Sequence, residues 1–156
     1  MEATISRRVA NINDPHLRLE AYLDLVELIS RAYGERANPR ASYLTVTAEK
    51  EGIPEKEYLG SQPADKLREY LKRAKITEIE YSIPGSFTVG NRLWYMQGEG
   101  VVMYGEEVNL TCSNLEPEEV RKLQEQVKRA TKDYAIQFAG KRICGEGEES
   151  GKTNLR

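Results

Sequence analysis

Between Lys75 and Ser113 the chain reads as four short runs rich in β-branched and aromatic residues, separated by three turn signals. A stretch patterned this way is committed to an antiparallel meander, which restricts the fold class before any other residue is considered. The expected meander spans 76–113. Two-residue loops at Gly98 and Glu99, and again at Gly105 and Glu106, set its register. Met96 then opposes Val101, Tyr95 opposes Val102, Trp94 opposes Met103 and Leu93 opposes Tyr104. The next pairs are Met103 with Val108 and Val101 with Leu110.

This register divides the sheet into two unlike faces. One collects Trp94, Met96, Val101, Met103, Val108, Leu110 and Cys112, an apolar set that reads as core. A parity-switching bulge at Gly90 and Asn91 places Phe87 and Val89 on the same side. The other face carries Leu93, Tyr95, Val102, Tyr104, Asn109 and Thr111. It remains half apolar where a solvated face would be polar, as Glu78, Glu80 and Ser82 are on the first strand. Two explanations compete: a helix of the same chain covers this face, or another molecule does.

Helical periodicity marks three segments. Asn13, Asp14 and Pro15 form a start signal, and Leu19, Tyr22, Leu23, Val26, Ile29 and Tyr33 recur at three- and four-residue intervals. Leu25, Leu28 and Ala32 widen this stripe, so a helix over about 15–34 needs cover on two sides. A shorter amphipathic helix spans about 63–74. The third, about 117–139, opens on Glu116, Pro117, Glu118 and Glu119, continues through Val120, Leu123, Val127, Ala130, Tyr134 and Phe138, and stops at Gly140. A strand is expected near 43–47, while 48–60 reads as charged and irregular. With no βαβ rhythm and no repeat, the order gives an α+β domain over 1–144 and a polar tail over 145–156.

Composition excludes several classes. The 156 residues are 39% hydrophobic and 31% charged, with no apolar run near the roughly 20 residues that cross a bilayer. The first residues lack the apolar core of a secretion signal, and two cysteines need not pair, so a cytoplasmic protein is expected. A net charge of −2 argues against broad attraction to nucleic acid. Locally, 121–142 holds seven basic residues against Glu125 and Asp133. Pairs of Glu118 with Lys122 and Glu125 with Arg129 would make most of that charge a solvated helix face.

No motif carries chemistry. Glu146 to Thr153 imitates a phosphate-binding loop but has Glu146 where glycine is required and no helix after it. His16, the single histidine, lies in a first helical turn, where the dipole disfavours imidazolium. Cys112 follows core parity and reads as a buried thiol. No catalytic residue, metal ligand or cofactor is expected.

The sequence therefore leads to a non-enzymatic binding protein that works through protein contact as a homodimer or larger oligomer. Leu93, Tyr95, Val102 and Tyr104 are the candidate contact residues. A second reading is a nucleotide- or single-stranded nucleic-acid-binding protein using Arg92, Arg121 and Arg129 with the tyrosines. A third is a small enzyme using Glu78, Glu80 or a tyrosine, which requires a concave pocket around one of them.

Overall fold

Asp14 starts the first helix by accepting hydrogen bonds from the backbone N–H groups of His16 and Leu17, at 2.9 and 3.3 Å. The helix, α1, runs from Pro15 to Tyr33 and ends on Gly34 in the left-handed conformation. In the computed structural model, which describes residues 1–11, 13–39, 44–58, 64–73, 75–81, 86–96 and 107–146, α1 is the centre of the molecule. Leu19, Leu23, Leu25 and Ile29 are wholly buried, and among its described side chains only Glu27 and Arg31 are exposed. The broad apolar stripe does receive cover on two sides.

One cover is a seven-stranded antiparallel sheet. Its strands are β1 (Ala3–Arg8), β2 (Asn38–Pro39), β6 (Ser86–Val89), β7 (Arg92–Met96), β8 (Glu107–Cys112), β9 (Tyr134–Phe138) and β10 (Lys141–Cys144), in the order β10-β9-β1-β8-β7-β6-β2. The other is a three-stranded sheet in the order β4-β3-β5, from β3 (Leu44–Lys50), β4 (Ile53–Tyr58) and β5 (Lys75–Tyr81). Val46, Ala48 and Ile76 bury its inner face. Helix α2 (Ala64–Arg73) packs on α1, where Arg68 binds Asp24 and Glu27 at 2.6 and 3.1 Å. Helix α3 (Pro117–Arg129) lies beside α1, burying Val120, Leu123 and Val127. The α+β class holds.

Several expected boundaries differ. The third helix ends at Arg129, ten residues short of 139, because the backbone turns extended at Ala130 (φ −84°, ψ 177°). Tyr134 and Phe138, placed on that helix by their four-residue spacing, belong instead to β9, where Ile136 lies between them on the same face. Ala139 and Gly140, with φ of 51° and 78°, form the two-residue turn into β10, a geometry glycine adopts without strain. Gly145 then donates its N–H to the Tyr134 carbonyl, so close to the Thr131 carbonyl that a β-carbon would collide with it. The irregular reading of 48–60 is also corrected: Glu51 and Gly52 make the same kind of turn between β3 and β4.

The meander divides between the sheets. Its first run, β5, pairs with β3 and not with β6. The neighbouring positions of β7 are both taken, since Tyr95 opposes Ser86 on β6 and Thr111 on β8, while Met96 opposes Leu110. The expected pairings of Tyr95 with Val102 and of Leu110 with Val101 are therefore overturned. Val102 and Tyr104 themselves lie outside the described residues. At Gly90 and Asn91 the chain makes a tight hairpin, with Val89 opposite Arg92, and no bulge is needed to put Val89 in the core with Trp94. Strand β1, which lies between β9 and β8 inside the large sheet, fell in a segment with no expected structure.

Candidate functional site: the reverse face of the large sheet

The register sorts the large sheet by chemistry. Ala3, Ile5 and Arg7 share a face with Val108, Leu110 and Cys112, with Tyr134, Ile136 and Phe138, and with Trp94 and Val89. Helices α1 and α3 pack on that side, and Trp94, Ile5, Leu110 and Ile136 are fully buried. Its reverse carries Thr4, Ser6 and Arg8 from β1, Asn109 and Thr111 from β8, and Leu93 and Tyr95 from β7. Among the described residues α1 and α3 pack on the Trp94 side and not on this one, yet Ser6, Glu107, Thr111 and Ala135 at the centre of the reverse face are buried, and exposure is concentrated at Leu93.

Two side-chain rungs floor its centre. The Thr4 and Thr111 hydroxyls lie 2.9 Å apart, and the Ser6 hydroxyl donates to Asn109 Oδ1 at 2.7 Å. Ser6 and Thr111 are buried, so these bonds satisfy groups that water does not reach. Beside them, Leu93 keeps 49% of its surface exposed, one of three large apolar residues so exposed among the described ones. Tyr95, half-buried, stands on the same face across from Thr111.

A charge pair bounds the other side. Arg142 on the edge strand β10 reaches across β9 and β1 to bind Glu107 on β8 at 2.6 Å. Strands about 4.8 Å apart would separate β10 from β8 by about 14 Å in a flat sheet, so the contact requires the right-handed twist to curl that diagonal inward. The line between the partners passes close to Ser6 and Ala135, both 3% exposed. Neither the rungs nor this pair were foreseen. The alternation of Ala3 and Ile5 with Thr4 and Ser6 was the available signal.

The structure brings Leu93 and Tyr95 together but scatters the arginines. Arg92 projects to the Trp94 face, where its guanidinium binds Glu119 through two contacts of 2.8 Å, and Tyr33 donates to the same carboxylate at 3.1 Å. Burial and the adjacent Glu119 push the Tyr33 hydroxyl above its ordinary range, so it stays a donor. Burial opposes ionisation of Glu119, yet the Arg92 and backbone hydrogen bonds outweigh it and hold its carboxyl low. Cys112, beside this cluster, is pushed up to about 11 chiefly by burial, which keeps it an inert thiol. Arg121 pairs with Glu118, at 2.5 Å, in place of the expected Glu118 to Lys122 pair. Arg129 is exposed at the last turn of α3, about 12 Å along the axis from Arg121. The basic surplus of 121–142 is shared between α3 and β10.

Two clefts lie elsewhere. One, of about 330 Å³, is lined by Arg7, Val9, Leu17 and Asp133, and another, of about 600 Å³, by Val26, Ser30, Arg31 and Ala37. Neither is lined by Leu93, Tyr95 or Glu78. Glu78 is exposed on the outer face of the small sheet, where Thr47 approaches it at 3.5 Å. Among the described residues, no group of three or more histidine, cysteine or carboxylate side chains could hold a metal ion, and no helix is long and apolar enough to cross a membrane. Compared with known proteins, the chain matches no family model, no curated protein and no solved structure.

Proposed function

We propose that this is a non-enzymatic binding protein that associates with a second copy of itself through the β7 part of the reverse face of the large sheet, with Leu93 and Tyr95 at the contact. The observation that carries this reading is the half-exposed Leu93 beside Tyr95 on the sheet face opposite α1 and α3. Large apolar and tyrosine side chains on one surface suit a protein contact.

The sheet edges support the face over edge-to-edge pairing. At one end of the large sheet β2 has two residues, one of them Pro39, and at the other β10 has four, beginning Lys141 and Arg142. In the small sheet β4 carries Pro54 with Glu55, Lys56 and Glu57, and β5 is interrupted at Thr77, the extra residue where its pairing with β3 shifts. Short, charged, proline-bearing or bulged edges resist strand addition.

Light scattering at rising concentration tests the reading. The unaltered protein should give the mass of a dimer, and Leu93→Ser with Tyr95→Ser should give a monomer with unchanged circular dichroism and thermal midpoint. A wild-type monomer at about 100 μM, far above ordinary dimer affinities, would overturn it. So would a fully dimeric variant. The nucleotide reading is weakened because Arg92 and Arg121 already hold carboxylates.

A further inference from the structure

We infer that the cleft beside the first half of α1 is a binding site for an alkylguanidinium such as an arginine side chain, with its head on Glu20 and Asp133 and its stem along Leu17 and Val9. The site is separate from the Leu93 contact and does not depend on it. The outward side of α1 presents Glu20, Asp24 and Glu27, spaced four and three residues apart and so stacked on successive turns. The last two already hold a guanidinium. Arg68 of α2 donates to Asp24 Oδ1 at 2.6 Å and to Glu27 Oε2 at 3.1 Å, bridging two carboxylates one turn apart. Glu20, half-buried one turn before Asp24, has no ion pair or hydrogen bond from its side chain among the described residues.

Glu20 lines the cleft of about 330 Å³, a volume within the range of small-ligand sites. Asp133, in the turn before β9, brings a second carboxylate to it. The Arg8 N–H donates to the Asp133 carbonyl at 2.8 Å and fixes that residue in place. The Asp133 side chain is 46% exposed and makes only a 3.6 Å contact with Arg7, so it can accept a further donor. Arg7 is no obstacle to a cation, because its charge is already matched. Its Nε and Nη2 bind Asp24 at 3.1 and 3.0 Å, its Nη1 donates to the Arg8 carbonyl at 2.8 Å, and its head lies 5.2 Å from the Tyr134 ring. Arg8 itself alternates onto the reverse face. Leu17, Ala21 and Val9 complete the lining, an apolar surface along which a methylene stem can lie while the charged head stays at the carboxylates. A planar fork that reaches two carboxylates suits this arrangement better than the point charge of an ammonium, as it does where Arg68 bridges Asp24 and Glu27.

Titration followed by amide NMR tests the site with three probes: n-butylguanidinium, the peptide acetyl-Gly-Arg-Gly-amide, and the same peptide with citrulline, a neutral isostere, in place of arginine. Both guanidinium probes should shift the amides of Leu17, Glu20 and Ala21 and saturate at millimolar concentration, and the citrulline peptide should not. Tighter binding of the arginine peptide than of butylguanidinium would assign the site to an arginine of a protein partner, and the reverse order to a free guanidine. Glu20→Gln should weaken binding about tenfold, while Leu93→Ser with Tyr95→Ser should bind as the unaltered protein does. No saturation below about 20 mM, equal binding of the citrulline peptide, or full affinity in Glu20→Gln would overturn the site. So would shifts spread equally to exposed carboxylates such as Glu55, or binding lost with Leu93 and Tyr95. Should Glu20→Gln disturb the fold, the contrast between the arginine and citrulline peptides in the unaltered protein decides.

Discussion

The two faces of the large sheet are made from the same strands and obey opposite rules. On the Trp94 side most rungs are apolar, Arg7 and Arg92 are held by carboxylates, and two helices pack against it. On the reverse, the same strands present hydroxyls, an amide, one long ion pair and an exposed leucine. The difference separates what holds the chain together from what remains available for contact. The first face obtains its stability from removal of apolar area from water, the second from hydrogen bonds that merely balance those lost to solvent.

The largest test of this division is Trp94→Ala. It should cost about 3–5 kcal/mol in chemical denaturation, because a fully buried indole leaves a cavity that its neighbours fill only in part. A loss under about 1 kcal/mol, the range of surface changes, would mean the Trp94 side is not the core. Arg142→Ala should come next, at about 1–3 kcal/mol, since it strands the buried Glu107 without its partner. It should also expose Ser6 and its N–H to hydrogen exchange, while exchange at Trp94 stays slow. Acid comes third. Because the folded carboxyl of Glu119 lies below its unfolded value, its contribution is present above about pH 4.3 and is lost as pH falls through the folded value. Arg92→Leu removes what holds that carboxyl low, so the acid-unfolding midpoint should move to higher pH; an unmoved midpoint would detach this cluster from stability. Leu93→Ser should matter least for folding, within about 0.5 kcal/mol, and most for association.

The residues that kept a single period were legible. The α1 stripe, the Trp94, Val108, Leu110 and Cys112 parity and the α+β class follow from alternation and helical spacing, and the fold keeps them. The errors arose where two periods coincide. Ala130, Tyr134 and Phe138 recur every four residues, but Tyr134, Ile136 and Phe138 also recur every two, and the Ala139 and Gly140 turn decides for the strand. The meander failed because adjacency in sequence stood in for adjacency in space: β5 turns to β3, 31 residues earlier in the Thr47 and Glu78 pair. At the candidate site Leu93 and Tyr95 were legible from parity within one strand. Arg92 was not, because its partner Glu119 arrives from a distant helix, and neither was Arg142, whose reach to Glu107 depends on how far the sheet twists.

The burial of α1 on nearly all sides has a consequence for how the chain comes apart. Both sheets pack apolar faces on this one helix, and α3, which lies against β9 and β10, does not close the large sheet by itself once α1 leaves. Local opening that frees α1 is therefore the same event as global unfolding, and the slowest-exchanging amides should be found there, at Leu23 to Ile29, with one common exchange free energy shared by β1 and β3.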